Sequence, residues 1–118
     1  MTQHAALTPE RWSRFTTDQQ LLMIANEMNR TSKLLGPNDE ALRRSGYERT
    51  LRLVELSIVV AARPALRREL SLWRDLVAQL YIAPASDAAS HGAALRCLLQ
   101  FSPATYSQLA HLSIPTSA

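Results

Sequence analysis

Leu21, Ile24, Ala25, Met28, Thr31 and Leu35 recur at three- and four-residue intervals, and two later stretches repeat the pattern before a proline interrupts it. Such spacing lines one side of a 3.6-residue turn with apolar groups, so each stretch predicts a helix that must bury one face. Three glycines among 118 residues leave few tight turns for a β-sandwich or barrel. A chain of this length hides roughly two-thirds of its unfolded surface and builds one core.

The first predicted helix covers residues 17–35. Thr16 or Thr17 caps its start, and Gln19 or Gln20 completes a capping box by returning a hydrogen bond to the cap backbone. Trp12 and Phe15, closing a polar lead-in over residues 1–15, are expected to fold against its first turn or a neighbouring helix. Gly36-Pro37-Asn38 reads as a stop and a start, with glycine suited to a left-handed cap. The second predicted helix, 39–62, opens at Asn38 or Asp39 and carries the stripe Leu42, Tyr47, Leu51, Val54, Ile58 and Ala61. Ser45-Gly46 is its weak spot, a place for a kink or a late start, because glycine costs about 1 kcal/mol relative to alanine. Pro64 ends it, and a third helix, 65–82, presents Leu66, Leu70, Trp73, Val77, Leu80 and Tyr81. So short a link forces the second and third helices into an antiparallel hairpin.

Beyond Ala83-Pro84-Ala85-Ser86 the composition shifts, and Asp87 and Arg96 carry the only formal charges up to Ala118. Leu95, Leu98 and Leu99, with Phe101, predict a fourth helix from near Ser90. Ser102-Pro103 opens a short fifth helix through about Leu112. Residues 88–112 thus hold the C-terminal helices and 113–118 a frayed tail. The expected architecture over 1–118 is a single all-α domain, a four-helix-type up-down bundle with a short fifth C-terminal helix.

Thirteen basic against ten acidic residues give a formal charge of +3, too small an imbalance to name a polyanionic partner. The sequence presents neither a signal-peptide pattern nor an apolar run long enough to span a bilayer, and its single cysteine, Cys97, has no internal disulfide partner. Cys97 sits in the apolar run Leu95 to Leu99, where a reduced, buried thiol packs well. These features imply a cytoplasmic protein with no membrane partner.

His4, His91 and His111 lack metal-ligand spacing and are expected at the surface or at bundle ends, with no metal or cofactor implied. Gly36, Gly46 and Gly92 stand alone, so no phosphate-cradling loop is present. Neither His91 nor His111 follows an arginine by four to six residues, the arrangement with which bundles of the HEPN class often cleave RNA.

Charges do interrupt the apolar runs: Glu27 and Arg30, then Glu48, Arg52 and Glu55, then Glu69, Arg74 and Asp75. A solvated, self-paired face accounts for them, each exposed pair adding about 0.2–0.5 kcal/mol. The sharper reading starts from Glu55, which stands between Val54 and Leu56-Ser57-Ile58-Val59-Val60. It makes Glu27, Arg30, Arg52, Glu55, Glu69 and Arg74 a buried polar network that sets helix register or lines a ligand groove. Arg63, Arg67 and Arg68 form a candidate anion patch at the hairpin turn, without the interleaved aromatics that stack bases.

The stretch from Trp12 to Tyr81 resembles a family of small, uncharacterised bacterial helical proteins found as stand-alone chains. The resemblance rests on Trp12 with the run Gln20 to Arg30, on Arg49 to Ile58, and on Arg68-Glu69-Leu70 with Trp73-Arg74-Asp75-Leu76 and Tyr81. It implies that Glu27, Arg30, Glu55, Glu69 and Arg74 belong to a recurring pattern, and it carries no activity with it. The region after Ile82 departs from that pattern. The architecture is also broadly similar to HEPN-type domains.

The favoured reading is a non-enzymatic protein-interaction or accessory module that forms a homodimer, because the uncharged, leucine-bearing C-terminal region would expose an apolar patch if it failed to pack on its own chain. The alternatives are an RNA- or DNA-associated bundle, antitoxin-like or nuclease-related, using Arg63, Arg67 and Arg68, and an enzyme or small-ligand binder built on the interhelical charges.

Overall fold

A computed structural model describes residues 7–106, which contain helices and no strand. Four long helices, α2 (Thr17–Thr31), α3 (Glu40–Val60), α4 (Pro64–Ile82) and α5 (Ala88–Leu99), are flanked by the short α1 (Pro9–Trp12) and α6 (Pro103–Tyr106). Contacts between distant residues give the topology. Glu27 meets Arg49 and Thr31 meets Gly46, so α2 and α3 are antiparallel. Tyr81 bonds to Glu48 while Arg67 bonds to Ala61, so α4 returns along α3 as the hairpin requires. Trp73 reaches Ala94, Glu69 lies by Cys97, and α5 therefore runs back along α4 to close an up-down bundle.

The helix starts follow local chemistry. Thr16 and Gln19 form a complete capping box on α2. Asp87 caps α5 through the backbone N–H groups of Ala89 and Ser90, and Pro64 and Pro103 occupy first helical turns. Asp39 precedes α3 but its side chain makes no capping bond.

Four expectations change. Residues 9–12, placed in a polar lead-in, form α1 under a Thr8 cap and carry Trp12 into the core. Its indole N–H donates to Ser57 Oγ at 2.8 Å and Gln20 bonds the Trp12 carbonyl, which fastens the lead-in to α3 and α2. The first predicted helix ends four residues early, at Thr31. The chain leaves it through three-residue turns, the Lys33 N–H donating to the Arg30 carbonyl and the Leu34 N–H to the Thr31 carbonyl, and the Arg43 guanidinium takes up the carbonyls of Leu34 and Gly36. With those carbonyls satisfied by a side chain, Gly36 has no need of a left-handed cap, and no described glycine has positive φ. Leu42, placed in the core stripe, is exposed, because the buried row at that end of α3 is Arg43, Gly46, Tyr47 and Thr50.

The fourth change concerns Gly46, where α3 runs unbroken instead of kinking. A β-carbon there would overlap the Thr31 hydroxyl and lie 3.2 Å from Thr31 Cβ and Cγ2. Glycine is present because α2 and α3 cross at this point with no room for a side chain.

Leu95, Leu98 and Leu99 are fully buried, so these three leucines of the C-terminal region pack on their own chain. Burial of each contributes about 1.5–3 kcal/mol. The predicted extension of the last helix to Leu112 and the tail at 113–118 lie outside the described residues, as do His4 and His111.

Alanine normally stabilises an open helical site by about 1 kcal/mol over glycine. Gly46→Ala is expected to do the reverse, costing about 1–3 kcal/mol through overpacking. In a Thr31→Ala background, where the obstructing hydroxyl is absent, most of that cost should vanish. Denaturant midpoints of the four chains in the cycle measure the coupling.

Candidate functional site

The sequence-predicted charges do not converge. Glu27 is the one acidic member that is buried, its side chain 4% exposed, and it lies 3.2 Å from Arg30 and 3.1 Å from Arg49 of α3. Arg30 itself extends into solvent. Arg52, Glu55 and Glu69 are exposed: Arg52 donates to the Leu7 carbonyl, and Glu69 stands at the edge of a cleft beside Cys97. Arg74 is half-buried and pairs loosely with its neighbour Asp75 at 3.7 Å. The reading of Glu55 as buried fails because each residue turns a helix by about 100°, so apolar neighbours in sequence do not share its face. A buried network of six is thus reduced to Glu27 with Arg49, a residue outside the predicted set, and with Arg30.

Arg63, Arg67 and Arg68 are exposed near the α3–α4 turn. Arg67 is committed to structure there, donating to the Ala61 carbonyl at 2.7 Å. It takes up a carbonyl left open where α3 ends.

The polar centre that sequence reasoning missed is His91. It was expected at the surface or at a bundle end and instead lies buried between α2 and α3. Its Nε2 is 2.8 Å from the Met28 carbonyl and its Nδ1 is 2.8 Å from the Tyr47 hydroxyl. A carbonyl only accepts, so Nε2 carries the proton and Nδ1 receives the Tyr47 O–H. Burial lowers the His91 pKa against the opposing pull of the Met28 bond. Burial also pushes Tyr47 up to about 12, offset in part by Arg43. Both groups are neutral near pH 7, and the relay joins α2, α3 and α5 without a buried charge.

Two clefts follow the seam between α4 and α5. One, of about 480 Å³, has Leu76, Leu80, Ala83 and Ala93 for walls, Tyr47 at its floor and Gln79, Ser86, Asp87 and Ser90 among its polar groups. Bonds from Ser90 hold the Asp87 carboxyl below its usual range, and Ser86 is tied to the Leu35 carbonyl, so this polar rim serves the α5 cap and the α4–α5 link. The other, of about 420 Å³, is lined by Arg63, Leu66, Glu69, Cys97 and Phe101. Cys97 is half-buried there instead of enclosed, and burial, then Glu69, raises its pKa, which disfavours the thiolate. Among the described residues no group of His, Cys, Asp and Glu has metal-binding geometry.

The outer side of α4 bears Leu72, 58% exposed, and Leu76, 48% exposed. Leu70, Trp73 and Val77 of the same helix fill the core. Leu72 and Leu76 thus stand exposed outside the core stripe, among the charged and polar Arg68, Asp75 and Gln79, with Leu76 also a wall of the α4–α5 cleft.

Because the folded His91 pKa lies below its unfolded value, the unfolded chain binds the extra proton first. Stability should be full above the ordinary histidine pKa of about 6.5 and fall as pH drops from there toward the folded value. Urea midpoints from pH 8 to pH 5 read this, and a His91→Gln chain should lose that component of the slope. Tyr47→Phe strands Nδ1 without a donor and is expected to cost about 1–3 kcal/mol at neutral pH.

Protein-family models, curated proteins and solved structures give no match to the chain, which leaves the geometry above to carry the functional argument.

Proposed function

We propose that the chain is a non-enzymatic protein-interaction or accessory module and that the outer side of α4 is its working surface. The observation that carries this is the exposure of Leu72 and Leu76 one turn apart on a helix whose Leu70, Trp73 and Val77 already fill the core. Leucines in such positions cost solubility unless something covers them, and an amphipathic face of this kind is how bundles receive partner helices.

The buried polar groups support the same reading. Every described buried side-chain nitrogen or oxygen has a partner within the chain. Tyr47 and His91 serve each other, Trp12 serves Ser57, and Trp73 serves the Ala94 carbonyl. These groups are spent on holding the fold.

Membership in the family of small bacterial helical proteins belongs to this proposal, and under it Glu27 acts as a structural member of the recurring pattern. A cytoplasmic location belongs to it too, supported by a sequence with one cysteine and by described helices that are not long and apolar enough to cross a membrane.

A photo-crosslinking amino acid at Leu72 should yield protein adducts in cells that express the full chain, whereas one at exposed Asp18, on α2, should not. Equal yields at both positions, or none at Leu72, would overturn the proposal.

A further inference from the structure

We infer that the partner of the α4 surface is a second copy of this chain, docked antiparallel about a two-fold axis between Ser71 and Leu72. The inference rests on the reading of α4 as an interaction face and adds the identity of the occupant. A two-fold interface must be self-complementary, each residue meeting its own image or a reciprocal partner. On the outer side of α4, Arg68 and Asp75 flank Leu72 along the same edge, about 40° and 60° from it at 100° per residue. Each lies three and a half residues from the proposed axis, about 5 Å along the helix. Antiparallel docking therefore sets Arg68 of one copy level with Asp75 of the other, and it does so twice.

The apolar groups agree with that register. Leu72, within one residue of the axis, packs against its own image. Leu76 lies on the opposite edge and falls between Ala65 and Glu69 of the second copy, a small side chain and an aliphatic stem. Arg68 and Asp75 are both exposed, and the tie from Asp75 to Arg74 is long at 3.7 Å, so both side chains are available for the exchange.

The test is a charge exchange read by light scattering on the full chain across a dilution series. The parent chain should show a mass rising with concentration toward twice 13.2 kDa. Arg68→Asp alone and Asp75→Arg alone should each weaken self-association by about tenfold or more, since each sets like charges together twice. The double exchange should return affinity to near the parent value. Helical circular dichroism confirms that each variant is folded, as expected for exposed positions. A monomer up to about 100 μM, where contacts of even modest quality register, overturns the inference, as does a dimer indifferent to both single changes or one that the double exchange fails to restore. Should the chain stay monomeric while Leu72 still crosslinks to a different protein, the self-docking inference falls and the interaction-module reading stands.

Discussion

A histidine held without charge in the interior sets the arrangement of this bundle. Nε2 of His91 donates to the carbonyl of Met28 on α2, and Nδ1 accepts from Tyr47 on α3, so one ring ties α5 to two helices whose contact residues lie 63 and 44 positions away in the chain. Apolar packing alone tolerates sliding by a turn with modest loss, but a donor and an acceptor that must both be met do not. The Trp12–Ser57 and Trp73–Ala94 bonds act in the same way for α1 on α3 and α4 on α5. Together they convert oily stripes, which specify only that helices associate, into one register.

Close approach of α2 and α3 is the second constraint. Thr31 and Gly46 meet where no side chain fits on α3, and on the same helix pair Glu27 reaches Arg49. A carboxylate at this depth is tolerable because the helices lie near enough for a guanidinium from one to reach an acid on the other while staying partly in water. Two further arginines act as local fasteners: Arg43 closes the α2–α3 link and Arg67 the end of α3.

With its polar interior satisfied from within, the molecule presents its chemical asymmetry on the outside. Besides its core stripe α4 carries exposed Leu72 and Leu76, and Leu72 is flanked by charges of opposite sign at Arg68 and Asp75. The α4–α5 cleft beside Tyr47 by contrast has Ser86, Asp87 and Ser90 at its rim already engaged in capping and linking.

Much of the fold was legible because helical periodicity and punctuation are local properties. Leu21 to Met28 and Leu70 to Val77 announced their buried faces, and Thr16, Pro64 and Pro103 marked their starts within a turn or so. The reading failed where burial depends on residues far along the chain. Glu55 looked enclosed by its sequence neighbours and is wet, whereas His91, between a serine and a glycine, looked like a surface residue and is dry because Met28 and Tyr47 lie 63 and 44 positions away. A row at 43, 46, 47, 50, 53, 54 and 57 could have revealed the true inner side of α3, but its arginine, glycine, threonine and serine hid it from a search for oily side chains. The amino-acid order thus determined which segments coil and where they begin, since those choices depend on bonds within a few residues. Tertiary structure alone decided which polar groups are buried, because such a group can leave water only when an exact partner from another helix arrives to replace it.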